Sequence, residues 1–258
     1  LALVPVRRWL GLAGTAVFGL LLAVSPTMVY FSRTNIHEVY LVLFTLLWAA
    51  SLVRFAQAPS VRWGAVAGLA CVLCFANKET AILTTGSLGL AAGVAWAFGR
   101  ESTDPRDPDL FGGRSRVDGL RAWTLEQPLA WAAGLAVFAL LMVLLFSSFF
   151  SYWYGVGGFF KAFMPWLEHG SSGRNQGKPF GYFFDVMVVS EGWALWAALP
   201  AAVWAMVRRH RLGLALVAWA VSAFLVYSSI PYKTPWCVLN IDLPVFLLCA
   251  WGTQQAWL

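Results

Sequence analysis

Charged residues are scarce in this chain. Lys, Arg, Asp and Glu make up 12% of its 258 residues, against 60% hydrophobic residues, whereas soluble domains run at about a quarter charged. With a mean hydropathy of +0.68, the composition excludes an ordinary water-soluble fold. Cysteine is sparse too. Cys71, Cys74, Cys237 and Cys249 all lie in or beside apolar runs. Cys71 and Cys74 form a CxxC, but it sits mid-helix in AGLACVLCFAN with no second pair and no nearby histidine. These residues therefore read as small buried hydrophobes, not as a redox or zinc pair, and no disulfide framework is implied. The histidines are His37, His169 and His210, too scattered for a metal-ligand set, so neither metal nor cofactor is expected. No internal repeat is visible.

Long apolar runs dominate instead. Crossing the hydrocarbon takes about 20 apolar residues, and eight segments approach that length: 9–31, 38–53, 63–77, 80–98, 129–150, 185–207, 212–230 and 238–254. The second and third are short and must borrow flanking residues. Arg7 and Arg8 precede the first segment as they would a signal peptide, but its apolar run is long and Pro26 follows Ser25, which favours a spanning helix. The expectation is an all-α polytopic membrane protein with about eight transmembrane helices in a single membrane domain over 1–258. A chain starting at Leu1 and not at Met is expected to be a fragment or a processed product.

Basic residues orient the spans. Arg7, Arg8, Arg54, Arg62, Arg100, Arg106, Arg114, Arg116, Arg121, Arg208, Arg209 and Arg211 fall on one side. Arg33, Lys78, Lys161, Arg174, Lys178 and Lys233 fall on the other. The first side is read as cytoplasmic, with both termini and the loop 101–128, and the second as extracytoplasmic. Six acids accompany each set, so the net charge of +6 lies entirely on the cytoplasmic side. Orientation explains the excess, and no nucleic-acid partner is needed.

Four connections on the extracytoplasmic side carry unusual sequence: SRTNIHE (32–38), NKET (77–80), the long loop 151–184 and PYKTPW (231–236). Each presents a cation, and a shared face lets them converge on one site. Structural roles stand beside the functional ones. Asn35 and Glu38 have capping-box spacing. Lys78 and Glu79 suit the dipoles of the helices they end and begin. Lys233 beside Trp236 suits an interfacial anchor, and Arg33 suits a snorkelling cation. In the long loop, Trp153, Phe159, Phe160, Phe163 and Trp166 suit a segment lying in the interface. GSSGRNQGK then offers Arg174, Asn175, Gln176 and Lys178 as donors with no matching acid, which suits a phosphate or pyrophosphate as well as a merely solvated loop. Glu191 lies about two turns inside its helix, where an unpaired carboxylate costs at least a few kcal/mol, so it should face the bundle interior or a water-filled cleft. Asp242 is less telling, since Pro244 could kink its helix near Asn240.

SPTMVYFSRTNIHE, NKET, WLEHGSSGRNQGKPFGYF and IPYKTPWCVLNIDLP, in that order, resemble the dolichyl-phosphate-mannose–protein mannosyltransferase superfamily. The branch they resemble most is the flippase activity-associated membrane proteins of prokaryotic glycosylation clusters. The resemblance implies a GT-C-like membrane fold with outer loops forming the site. It also implies a polyprenyl-phosphate-linked sugar as donor, transfer outside the cell membrane of a prokaryote, and glycosylation-cluster proteins as possible partners. Relatives carry their catalytic acidic pair in a first outer loop, which is expected to lie upstream of Leu1 together with an N-terminal helix. Glu38 and Glu191 stand where relatives place further functional acids. In the implied mechanism a carboxylate deprotonates the acceptor while cations stabilise the leaving polyprenyl phosphate. Arg33, Lys78, Arg174, Lys178 and Lys233 are the candidate cations, with Glu79, Asn175 and Gln176 beside them. Tyr232 and Trp236 would line the lipid or sugar, and His169 would hydrogen-bond sugar or phosphate. Two other classes fit the same residues: a lipid-carrier flippase or accessory subunit without catalysis, and a secondary transporter using Glu191 as its coupling residue.

Overall fold

A computed structural model describes residues 3–100, 127–172 and 177–258, apart from the side chains of Pro5, Phe163 and residues 165–172. Most of the expected cytoplasmic loop, together with Arg174, Asn175 and Gln176, lies outside the described residues. Among the described residues ten α-helices follow one another: α1 (Leu3–Val24), α2 (Pro26–Arg33), α3 (His37–Gln57), α4 (Val61–Asn77), α5 (Ala81–Phe98), α6 (Pro128–Phe146), α7 (Tyr154–Ser172), α8 (Tyr182–Arg208), α9 (Arg211–Ser229) and α10 (Leu239–Trp257). A 3₁₀ turn, Pro235–Val238, leads into the last. Among the described residues seven stretches are long and apolar enough to cross a membrane, and the shorter apolar α4 accompanies them. The eight expected spans are thus present, and the chain is an all-α membrane protein.

The first span differs from its expected extent. It ends at Val24, and α2 starts separately at Pro26. Proline cannot donate a main-chain hydrogen bond and crowds the preceding turn, yet it suits a helix's first position. Ser25 completes the break by accepting the Met28 N–H at 3.1 Å. The capping box foreseen at Asn35 and Glu38 does not form. The residue before α3 is Ile36, with no side-chain cap, while Asn35 adopts φ 52° and accepts a 2.6 Å hydrogen bond from the Tyr40 hydroxyl. Asparagine tolerates this left-handed conformation better than most residues, which lets the chain turn sharply into α3.

Apolarity does not tell inside from outside in lipid, so packing has to. The final helix α10 is buried along nearly its whole length, with α1, α8 and α9 packed around it. By contrast little of α6 is fully buried, and it lies against α4. Those two backbones meet at glycines. A Cβ on Gly64 would lie 2.0 Å from the Ala130 carbonyl oxygen, and one on Gly68 2.1 Å from that of Gly134. Hydrogen side chains are therefore obligatory there.

The alternating helices sort the connections between two ends. At one end Arg100 N–H donates to the Arg209 carbonyl at 2.6 Å, near His210 and Arg211. At the other lie the α1–α2–α3 corner, the α4–α5 turn, the start of α8 and the 3₁₀ turn. The aromatic stretch of the long loop forms α7, tied to α6 and α4 through Phe159, whose ring meets Phe146 at 4.9 Å and Phe75 at 5.8 Å.

Gly68→Leu is expected to force α4 from α6 and to destabilise the fold by about 1–3 kcal/mol, the usual overpacking range. Gly86→Leu on α5, where an added Cβ would meet nothing within 4 Å, should leave stability nearly unchanged. Thermal unfolding in detergent compares the two.

Candidate functional site

Two acids meet inside the bundle. Glu191, on α8, and Asp242, one turn into α10, are 1% and 0% exposed. Both turn to the start of α2. The Ser25 hydroxyl donates to Glu191 Oε1 at 2.5 Å, and the Thr27 main-chain N–H donates to the same oxygen at 3.1 Å. The Thr27 hydroxyl stands between the acids, 2.7 Å from Glu191 Oε1 and 2.8 Å from Asp242 Oδ2. A hydroxyl has a single hydrogen, so Thr27 can donate to only one of the two acids at a time. The far oxygens, Glu191 Oε2 and Asp242 Oδ1, have no hydrogen-bond partner among the described residues. At Glu191 itself α8 leaves helical geometry, with φ −127° and ψ 22°. The buried position expected for Glu191 is thus explained by polar neighbours that only the folded chain supplies.

Next to this cluster lies an ion pair. Glu38, in the first turn of α3, is 1% exposed and accepts a hydrogen bond from Lys78 at the end of α4. Cys237, five residues before Asp242, has its Sγ 3.6 Å from Glu38 Oε1 and 3.1 Å from the Thr234 hydroxyl. The Asn77 side-chain amide donates to the His37 carbonyl at 2.8 Å. Burial lowers the pKa of the Lys78 ammonium, while Cys237 and Glu79 act in the opposite direction. A buried carboxylate is tolerable when it is paired and hydrogen-bonded, and Lys78 meets that need while keeping 22% of its own side chain exposed.

The third and fourth connections join by main-chain pairing. Gly177 and Tyr232 form an isolated antiparallel bridge, and the Lys178 N–H donates to the Pro231 carbonyl at 3.3 Å. Lys233, only 4% exposed, donates from Nζ to the Ile230 carbonyl at 2.6 Å and to the Lys178 carbonyl at 3.1 Å. Burial lowers its pKa. The Lys178 ammonium lies 4.2 Å from the centre of the Tyr182 ring, within cation–π range.

The residues expected to converge are therefore gathered in part. Glu38, Lys78, Lys178, Tyr232 and Lys233 sit in a connected set, and Cys237 links the first two connections to the last. Trp236 is half-buried against the core. Arg33, at the end of α2, and Glu79, between α4 and α5, are exposed at the same end. His169 lies on α7, but its side chain is outside the described residues, as are Arg174, Asn175 and Gln176. Sequence reasoning missed Ser25 and Thr27. Their signal was the polar Ser-Pro-Thr interrupting an apolar run.

Residues 4–99 match the sequence model of the family described as Dolichyl-phosphate-mannose-protein mannosyltransferase. No curated protein matches the chain significantly. The fold is similar to that of ArnT from Cupriavidus metallidurans, solved bound to undecaprenyl phosphate, with a TM-score of 0.69 and 21% sequence identity. The chain has a GT-C-like membrane fold. The resemblance read from its outer-loop motifs thus holds at the level of the fold, and the family match covers the first two of those motifs. The ArnT match covers 100% of this chain and 43% of ArnT, so the chain spans less than half the length of that protein.

Thr27→Val keeps the shape at α2 but removes the hydroxyl between the acids. It should destabilise the fold by about 1–3 kcal/mol, the desolvation penalty of an orphaned buried group, while Thr27→Ser stays near wild type in thermal unfolding. Lys78→Met strands the Glu38 carboxylate and is expected to cost about 3 kcal/mol or more. Adding Glu38→Gln to Lys78→Met should recover most of that loss when the set is compared by denaturant titration in micelles.

Proposed function

We propose that this chain is part of a membrane glycosyltransferase that takes a sugar from a polyprenyl phosphate at the extracytoplasmic face of a prokaryotic cell membrane. The observation that carries the reading is the placement of Lys78, Lys178 and Arg33 at one end of an intramembrane bundle. Positive charge at headgroup depth suits a lipid phosphate. The family match over residues 4–99 and the likeness to an ArnT that holds undecaprenyl phosphate support the same ligand class.

In this reading an acceptor hydroxyl or amide attacks the anomeric carbon. The bond from that carbon to the phosphate oxygen breaks, and its electron pair stays on the polyprenyl phosphate, which gains one negative charge. Lys78, Lys178 and Arg33 meet that charge as it develops. Glu38 starts as the partner of Lys78. When Lys78 turns to the phosphate, the Glu38 carboxylate loses its cation and becomes a base able to take the acceptor's proton. Glu191 has a different part. Its hydrogen bonds to Ser25 and Thr27 hold α2 in place, so it positions Arg33 and is not itself in contact with substrate. Tyr232, exposed at its bridge with Gly177, is available to the sugar.

The full-length protein in liposomes, given undecaprenyl-phosphate-linked labelled sugars and a panel of acceptors, should transfer or release sugar. Lys78→Ala should slow this about a hundredfold, the usual order for one lost transition-state donor. One observation favours a second reading, a lipid-carrier flippase or its accessory subunit: Glu38 is fully buried and paired, as suits binding without chemistry. Lipid movement across the liposome bilayer with no sugar release for any acceptor would establish that reading over the enzyme.

A further inference from the structure

Lys233 and Lys178 look like equivalent cations in sequence, but the fold uses them differently. The Lys233 ammonium has three hydrogens, and two of them are engaged by carbonyls from separate segments, Ile230 at 2.6 Å and Lys178 at 3.1 Å. Its side chain is buried, so its charge neutralises local carbonyl dipoles and does not face outward. Lys178 is half-buried, and its ammonium lies over the Tyr182 ring, with no carboxylate paired to it among the described residues. The two are also chemically separable. The clamp takes hold of the main chain of Lys178, through its carbonyl and through its N–H to Pro231, and leaves its side chain free to act.

We infer that Lys233 is a positioning residue, fixing residues 177–182 against 230–233 so that the Lys178 ammonium is presented to a lipid-linked phosphate. The inference rests on the polyprenyl-phosphate reading given above. Without the clamp, Gly177 and Lys178 are held to the last connection by the weaker 3.3 Å main-chain bond and the single bridge. The ammonium then spreads over many positions, and the ordering cost returns at each binding event.

The test is a double-mutant cycle on binding of undecaprenyl phosphate by the full-length protein in nanodiscs. Lys178→Ala, which spares the main-chain clamp, should weaken binding about tenfold, as expected for one charge-assisted contact. Lys233→Met should weaken it to a similar extent, yet have less than about a twofold further effect in the Lys178→Ala background, because residues acting through one contact are not additive. Lys233→Arg, which retains the cation and its donors, should recover part of the affinity. Hydrogen exchange at the Lys178 amide, read without any ligand, should speed up in Lys233→Met while exchange in α10 is unchanged. An equal loss from Lys233→Met in both backgrounds would mean direct phosphate contact and would overturn the positioning role. Unchanged exchange at Lys178 would overturn it too. A wild-type protein that fails to bind undecaprenyl phosphate, while Lys233→Met still loosens the Lys178 amide, would overturn the ligand reading and the phosphate half of this inference, leaving only the clamp.

Discussion

The Thr27 hydroxyl stands between two carboxyls at the heart of a bundle built for lipid. Glu191 comes from α8, Asp242 from α10 and Thr27 from the short α2, so one oxygen links three elements that are distant in sequence. Where water is excluded, an acid without a donor is expensive, and this arrangement meets the demand with few atoms. It depends on the break after α1. If that helix ran on through Pro26, the Ser25 hydroxyl could not reach Glu191 together with the hydroxyl and main-chain N–H of Thr27. The same break directs α2 across the end of the bundle and sets Arg33 and the turn to Glu38 in their places. The polar cluster therefore positions the candidate site without forming its surface.

Above that cluster the cations divide into those already committed and those available. Lys78 is paired with Glu38, and Lys233 is bonded to carbonyls. Lys178 faces an aromatic ring and Arg33 is exposed. A phosphate arriving here meets a graded set: some charges are offered at once, and one can change partner. An exchange of partners links binding to the release of a carboxylate, which is what transfer from a phosphate leaving group requires of a base.

Much of this was legible in the sequence for plain reasons. Apolar runs of the right length mark spans because lipid allows little else, and the arginine bias separates the two sets of connections. Motifs such as NKET and PYKTPW stood out because polar residues between apolar helices have few structural duties. Long-range pairing was not legible. Ser25 finds Glu191 across 166 positions, and a hydroxyl's partner leaves no local trace. The capping box at Asn35 and Glu38 shows the converse error. Its spacing was right, but burying Glu38 against Lys78 competes with bending that carboxylate back to cap its own helix. Lys233 is a third case: a lysine next to tryptophan reads as an anchor or a ligand, and only the two carbonyls around its ammonium reveal a clamp.

The shortness of α4 bears on the depth of the site. Its 17 residues span only about 25 Å at the usual helical rise, against roughly 30 Å of hydrocarbon. The neighbouring α5, with 18 residues, reaches about 27 Å on the same rise. Both stop at the corner that holds Lys78. Short spans are accommodated by local thinning of the bilayer or by flanking residues that reach the interface, and the Glu38–Lys78 pair sits where these two helices meet. In a bilayer that thins here, a lipid-borne phosphate would reach these charges while its chain stays among its neighbours. Membrane thickness, a property of the host cell and not of the protein, thereby becomes part of how the site is presented.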